Sequence, residues 1–158
     1  MMGIRIYLDN CCYSRPYDDQ SSERVVKETE AKLKLQRLIT DKKIELASSY
    51  ISLFECGNDK DLEKARYVTE FINKNTAAYV GEAHSKEIKE AIEPLMDANI
   101  KHYDASHIAA AVIAKADYFI TVDDKLMKRY EDILRNNPDF GNSLRMITPD
   151  KYPFEDED

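Results

Sequence analysis

Four acidic residues stand where short apolar runs break off, and their type and spacing could do metal chemistry. Asp9 closes Gly3-Ile4-Arg5-Ile6-Tyr7-Leu8, and Asp123 follows Tyr118-Phe119-Ile120-Thr121. Asp104 heads the alanine-rich stretch Ala105 to Lys115, and Glu55 lies on the stretch after Ser48-Ser49. A convergent group of carboxylates suits magnesium or manganese, hard cations that take oxygen ligands and keep several waters. Such an ion activates a water and neutralises charge on a phosphoryl group during in-line displacement. Taken singly, each acid reads more simply as a helix cap: Asp104 for the helix from Ala105, Asp123 or Asp124 for the next. Taken as a set of four at strand-to-acid transitions, the metal site is the stronger reading.

Several other chemistries fall away. The chain has four glycines and no Gly-rich phosphate loop, which removes P-loop and Rossmann dinucleotide binding. None of the histidines has a zinc-ligand spacing. Cys11 and Cys12 are adjacent, not a CxxC pair, and with Cys56 they read as small packed thiols of a reducing compartment. A phosphatase of the D-x-D type fails because Asn10-Cys11 follows Asp9. A receiver-like phosphoacceptor wants an acidic pair ahead of the acceptor strand's aspartate and a lysine ending a late strand, and neither pattern is clear. The net charge of -7 argues against a broad, non-specific nucleic-acid binder but leaves room for a nuclease. Part of it sits in Glu155-Asp156-Glu157-Asp158, expected to be a solvated tail, and bound cations would cancel several site carboxylates.

The elements that must position these acids follow from periodicity. Gly3–Leu8 reads as a strand, and a polar loop with Pro16 and Asp18-Asp19 comes after Asp9. A charged helix runs from about Ser22 to Asp41 with Leu35, Leu38 and Ile39 on one face. Lys43–Ala47 is a short strand, and Ser48-Ser49 caps a helix through Glu55 to about Cys56. Asn58 or Asp59 caps the next helix, on which Leu62, Ala65, Val68 and Ile72 fall at helical spacing. Ala77–Val80 is a strand, and Ser85–Ala98 is a helix that Pro94 bends or splits. The alanines of Ala105–Lys115 imply close packing on both sides. A strand at Tyr118–Thr121, a helix from about Lys125 and an edge strand at Arg145–Ile147 complete the pattern. This alternation predicts one α/β domain, a mainly parallel sheet covered by helices on both faces, over residues 1–150, with an acidic tail at 151–158. In such a sheet function collects beyond the carboxyl ends of the strands, where Asp9 and Asp123 stand. With 158 residues, no apolar run of spanning length and no signal-like start, the expected setting is the cytoplasm.

At these residues the chain resembles the PIN-domain (PilT N-terminus) family. The likeness is carried by Ile6-Tyr7-Leu8-Asp9-Asn10-Cys11, Ser49-Tyr50-Ile51-Ser52-Leu53-Phe54-Glu55, Tyr103-Asp104-Ala105-Ser106-His107-Ile108-Ala109 and Phe119-Ile120-Thr121-Val122-Asp123-Asp124-Lys125-Leu126. The last two resemble the family's D-A-x-H-I-A and T-x-D-x-x-L patterns. The resemblance implies that Asp9, Glu55, Asp104 and Asp123 ligate one or two magnesium or manganese ions. It implies hydrolysis of RNA phosphodiesters leaving a 5′-phosphate and a 3′-hydroxyl, with Thr121 orienting the site. Small bacterial members of VapC type are toxins that dimerise and are silenced by an antitoxin, so a homodimer and an antitoxin partner are implied too. Asn10 stands where many members carry Ser or Thr, and Asp124 beside Asp123 leaves two candidates for the fourth ligand, of which Asp123 fits T-x-D. The alternative reading is an RNA-binding or regulatory module of the same fold with weak or no catalysis.

Further residues keep two readings each. His107 lies one helical turn from Asp104, where it touches a phosphate or, as the better expectation, packs against the strand. Arg15, Lys125, Lys128 and Arg129 hold RNA phosphates or decorate solvated helix faces. Tyr13 and Tyr17 stack bases or pack.

Overall fold

The computed structural model describes residues 3–154, so the acidic run from Glu155 to Asp158 lies outside the described residues. β1 (Arg5–Leu8) leads into α1 (Asn10–Ser14), a 3-10 turn at Arg15–Tyr17 and α2 (Glu23–Thr40). β2 (Glu45–Ser49), α3 (Tyr50–Gly57), α4 (Leu62–Asn75) and β3 (Thr76–Val80) follow. α5 (Ser85–Asp97), α6 (His102–Ile113), β4 (Tyr118–Ile120), α7 (Asp124–Asn136) and β5 (Arg145–Ile147) finish the order. The strands form one sheet in the order β3-β2-β1-β4-β5, and every neighbouring pair is parallel. Helices cover both faces, which makes a three-layer α/β/α fold.

A parallel sheet covered on both faces needs apolar side chains on both, and the central strands supply them by alternation. Ile6, Leu8, Tyr118 and Ile120 enter one core with Leu35 and Ile39 of α2 and Val68 and Ile72 of α4. Tyr7 and Phe119 enter the opposite core with Ile88 and Ile92 of α5, Ile108 and Ala109 of α6, and Leu126 and Tyr130 of α7. Residues Ala105 to Ala111 of α6 are all buried, as the run of small side chains requires of a helix pressed close to its neighbours.

The local chemistry differs from the sequence expectation at four points. The segment after Asp9 is not an open polar loop: it folds into α1 and the 3-10 turn, and burial of Cys12 and Tyr13 drives that. α4 is capped by Asp61, whose side chain accepts from the Lys64 amide, rather than by Asn58 or Asp59. α6 starts at His102, one residue past its N-cap Lys101, which places Asp104 inside the first turn and not at the cap. Pro94 neither splits nor ends α5, which runs unbroken across it. Beyond residue 150 the chain stays attached: Tyr152 is buried beneath Tyr118, and its ring meets Phe154 at 5.0 Å. Among the described residues no helix is long and apolar enough to cross a membrane.

Candidate active site

The chain leaves β1 to build β2 and β3 on one side and returns to place β4 on the other. A crevice therefore opens beyond the carboxyl ends of β1 and β4, the place where such sheets bind ligands. Asp9 is the first residue past β1, and its amide donates to the Ile120 carbonyl at 2.9 Å, extending the ladder between the two strands. Asp9 is 7% exposed, and both of its carboxylate oxygens have partners. Oδ1 accepts from the Asn10 amide at 2.9 Å, and Oδ2 accepts from the Thr121 hydroxyl at 2.8 Å and faces the Cys11 thiol at 3.4 Å.

Thr121 is fully buried, and its Oγ1 also accepts from the Asp123 amide at 3.1 Å. One hydroxyl thus joins the loop after β4 to the end of β1. Asp123 is the N-cap of α7, with Oδ1 accepting from the amides of Lys125 and Leu126 at 3.0 and 3.1 Å. Cap and cluster member are therefore one residue. Asp124 points elsewhere: Arg24 of α2 grips both its oxygens at 2.7 and 2.9 Å and donates to the Val122 carbonyl.

Asp104 has no hydrogen-bond partner for its carboxylate among the described residues. Its carboxyl is held above the ordinary aspartate range, first by burial and then by the charges of Asp9, Asp123 and Glu55, with His107 working the other way. Glu55, on α3, is hydrogen-bonded through Oε1 to Nε2 of His107. His107 is itself buried, and its Nδ1 lies 2.7 Å from the Tyr7 hydroxyl, which also meets Ser49 Oγ at 2.7 Å and Ser52 Oγ at 3.0 Å. The ring is a packed histidine that also holds a site carboxylate.

Other expected site residues lie apart. The Asn10 side chain turns to α3, where its Oδ1 accepts from the Cys56 thiol at 3.5 Å. Arg15 is committed to Glu28, at 2.6 and 2.9 Å, and to Asp18, at 3.1 Å, which ties the turn after α1 to α2. A cavity of about 760 Å³ between α3, α5 and α6, lined by Phe54, Tyr79 and Tyr103 among others, lies beside the acids and includes none of the four. Tyr7, Ser49 and Ser52 are the residues that sequence reasoning missed as site supports. A tyrosine among aliphatic strand residues and a helix-capping serine carry no signal of a shared partner.

The donors fit a hard divalent cation in kind: carboxylate oxygens, mutually repelling at Asp104. They are not drawn together, for among the described residues no three His, Cys, Asp or Glu side chains form a ready cation-holding group. Asp9, Asp123 and Glu55 each act on Asp104 through their charge, and Glu55 is hydrogen-bonded to His107.

No family model matches the chain, and no curated protein matches it. Among solved structures it is similar to VapBC2 from Rickettsia felis bound to a DNA fragment from their promoter. That likeness has 15% identity over 80% of this chain and 92% of the other, with a TM-score of 0.49. It is also similar to FitAcB from Neisseria gonorrhoeae, at 17% identity over 91% of this chain and 97% of that one, with a TM-score of 0.47. Likenesses at this distance carry neither a family nor an activity. The assignment to the PIN-domain family from four short segments is therefore corrected: with no matching family model and neighbours this remote, what stands is the fold, a single parallel sheet in an α/β/α sandwich. Short strand-to-acid motifs follow from the geometry of any open parallel sheet, which explains why they overstate kinship.

Proposed function

We propose that the chain is a metal-dependent endoribonuclease working at the crevice beyond β1 and β4. The observation that carries this reading is Asp104: half-buried, without a hydrogen-bond partner among the described residues, and facing the charges of three other acids. Burying like charges together is costly unless something positive joins them. Magnesium or manganese would be held by Asp9, Asp104 and Asp123, with Glu55 at the edge of the set, and when bound it supplies an activated water and charge neutralisation at phosphorus.

The chain's own residues prepare that chemistry. Thr121 locks the Asp9 oxygen Oδ2 and ties Asp123 to it, so two of the acids move as one unit. The α7 amides fix Asp123 Oδ1, and Oδ2 has no hydrogen bond among the described residues. Asp104 sits in the first turn of α6, where the helix dipole offsets part of its charge. Glu55 Oε1 is taken by His107, so Oε2 is the atom that receives a proton from an attacking water. An antitoxin-type partner and a homodimer are separate expectations, tested by co-purification and by the mass of the protein in solution.

Cleavage of a panel of labelled RNAs by purified wild type and Asp104→Asn, with manganese or magnesium and then with EDTA, tests the proposal. Metal-dependent cleavage that disappears in the variant is expected. Activity equal in both proteins sinks it. RNA binding without cleavage under every condition favours the non-catalytic module.

A further inference from the structure

Glu55, like Asp9, is supported from a distant part of the fold. Its Oε1 meets Nε2 of His107 on α6, and Nδ1 of the same ring meets the Tyr7 hydroxyl of β1 at 2.7 Å. Ser49 and Ser52, at the end of β2 and the start of α3, reach that hydroxyl at 2.7 and 3.0 Å. The Tyr7 ring stacks on Phe119 of β4 at 5.5 Å and meets the His107 ring edge-on at 5.7 Å, so neither ring is free to turn. Tyr7 and His107 are both buried. None of this is needed to fill the core, since a phenylalanine and a leucine would pack in the same places without leaving polar atoms to satisfy.

The polarity of the link to Glu55 follows from the carboxylate. An ionised carboxylate only accepts, so Nε2 carries a hydrogen toward Glu55. Nδ1 of the same ring and the Tyr7 hydroxyl form the next link, and the Ser49 and Ser52 hydroxyls share that tyrosine oxygen. Burial raises the tyrosine's pKa well above its usual value, which keeps the hydroxyl protonated.

We propose that Tyr7 and His107 are positioning residues for Glu55, a hydrogen-bond chain that commits Oε1 and leaves Oε2 for the chemistry of the crevice. The consequence for catalysis rests on the nuclease reading above; the hydrogen-bond chain does not. A metal-binding or catalytic carboxylate that can rotate loses both affinity and rate, and outlying hydrogen bonds of this kind are typically worth roughly 10–100-fold.

The test has two arms on the full chain. Nitrogen-15 NMR of the metal-free protein reads the His107 ring directly: a hydrogen is expected on Nε2, and Tyr7→Phe should shift the Nδ1 resonance. A wild-type ring with no hydrogen on Nε2, or a ring unchanged by Tyr7→Phe, overturns the proposal. In the second arm, manganese affinity and RNA turnover are measured for Tyr7→Phe, His107→Leu and His107→Gln. The first two are expected to lose roughly 10–100-fold in one or both, with KM for RNA changed less than about 2-fold. His107→Gln, which keeps an N–H near the Nε2 position, should recover part of the loss. Folded Tyr7→Phe and His107→Leu proteins with wild-type affinity and turnover overturn it. Should the wild type cleave no RNA, the nuclease reading fails, and the NMR arm alone decides whether the chain reaches Glu55.

Discussion

The Thr121 hydroxyl donates to Oδ2 of Asp9 at 2.8 Å although 112 residues separate the two, and the same oxygen accepts from the Asp123 amide. It is the tie that makes two carboxylates from different strands one rigid unit. Thr121→Val keeps the shape and removes the hydroxyl, leaving an ionised oxygen and a buried amide each short of a partner. The expected loss is roughly 1–3 kcal/mol of stability in urea unfolding, with cleavage down by roughly 10–100-fold. Thr121→Ser should restore most of both. A valine variant as stable and active as wild type would remove the tie from the account.

Asp104 makes stability and activity pull in opposite directions. Its carboxyl is held above the ordinary 3.8 by burial and by Asp9, Asp123 and Glu55. The native state thus binds that proton more tightly than the unfolded chain, and stability falls as pH rises from the unfolded value through the native one. The cost is fully present at neutral pH and absent in acid. Asp104→Asn should therefore raise the Tm of the metal-free protein at pH 7, by roughly 2–4 °C for each kcal/mol relieved, while cleavage drops by more than about 100-fold. Thermal melts at pH 7 and pH 3 check the sign, since the gain should vanish at the lower pH.

The neighbouring aspartates 123 and 124 should behave unlike. Asp124 is exposed and paired with Arg24, so Asp124→Asn is expected to cost under about 1 kcal/mol and to leave turnover within about 3-fold of wild type. Asp123→Asn removes a cluster charge and weakens the cap of α7, and it should abolish cleavage. Parallel assays of the two variants settle which acid belongs to the site. Equal losses would place the site across both.

Lys32 on α2 gives the fold a pH dependence of its own. Its side chain is buried, with Nζ 2.7 Å from Gln36 Oε1 and 5.6 and 5.9 Å from the ring centres of Tyr13 and Phe71. Burial holds its amine down to about 8. The unfolded chain keeps that proton up to about 10.5. Between those values the unfolded state binds more protons, so stability rises with pH across the window and is lowest below it, where the ammonium is charged in both states. Lys32→Met should gain roughly 1–3 kcal/mol at pH 7, net of the lost cation–π contacts, and the gain should shrink by pH 10. The difference between wild type and variant in urea at the two pH values isolates this group from the thiols that titrate nearby. A gain that does not shrink at pH 10 would show that the amine is not being discharged in the fold.

Much of the architecture was legible because it depends on local rules. Ile6, Tyr7 and Leu8 ending at Asp9 mark a strand whose last residue leaves the sheet, and Phe119 and Ile120 before Thr121 do the same for β4. The segment after Asp9 was misread as an open loop because Pro16, Asp18 and Asp19 are turn residues, whereas burial of Cys12 and Tyr13 outweighed that signal. The α4 cap went to Asp61 instead of a neighbouring acid, since near-equal candidates within three residues are separated only by where the helix docks. The four segments around the acids read as a family signature, but no family model matches the chain, and only the fold they sit in stands.

The sequence by itself determined the five strands, the long helices and where the carboxylates leave them, since strand alternation, helical spacing and the breaks between them act over a few residues. Only the tertiary structure decided which acids keep company. It set Asp124 on Arg24, Arg15 on Glu28, and Glu55 on a histidine that answers to a tyrosine in β1. Those choices rest on contacts between residues tens of positions apart, whose energies come from burial and partner geometry that no local pattern encodes.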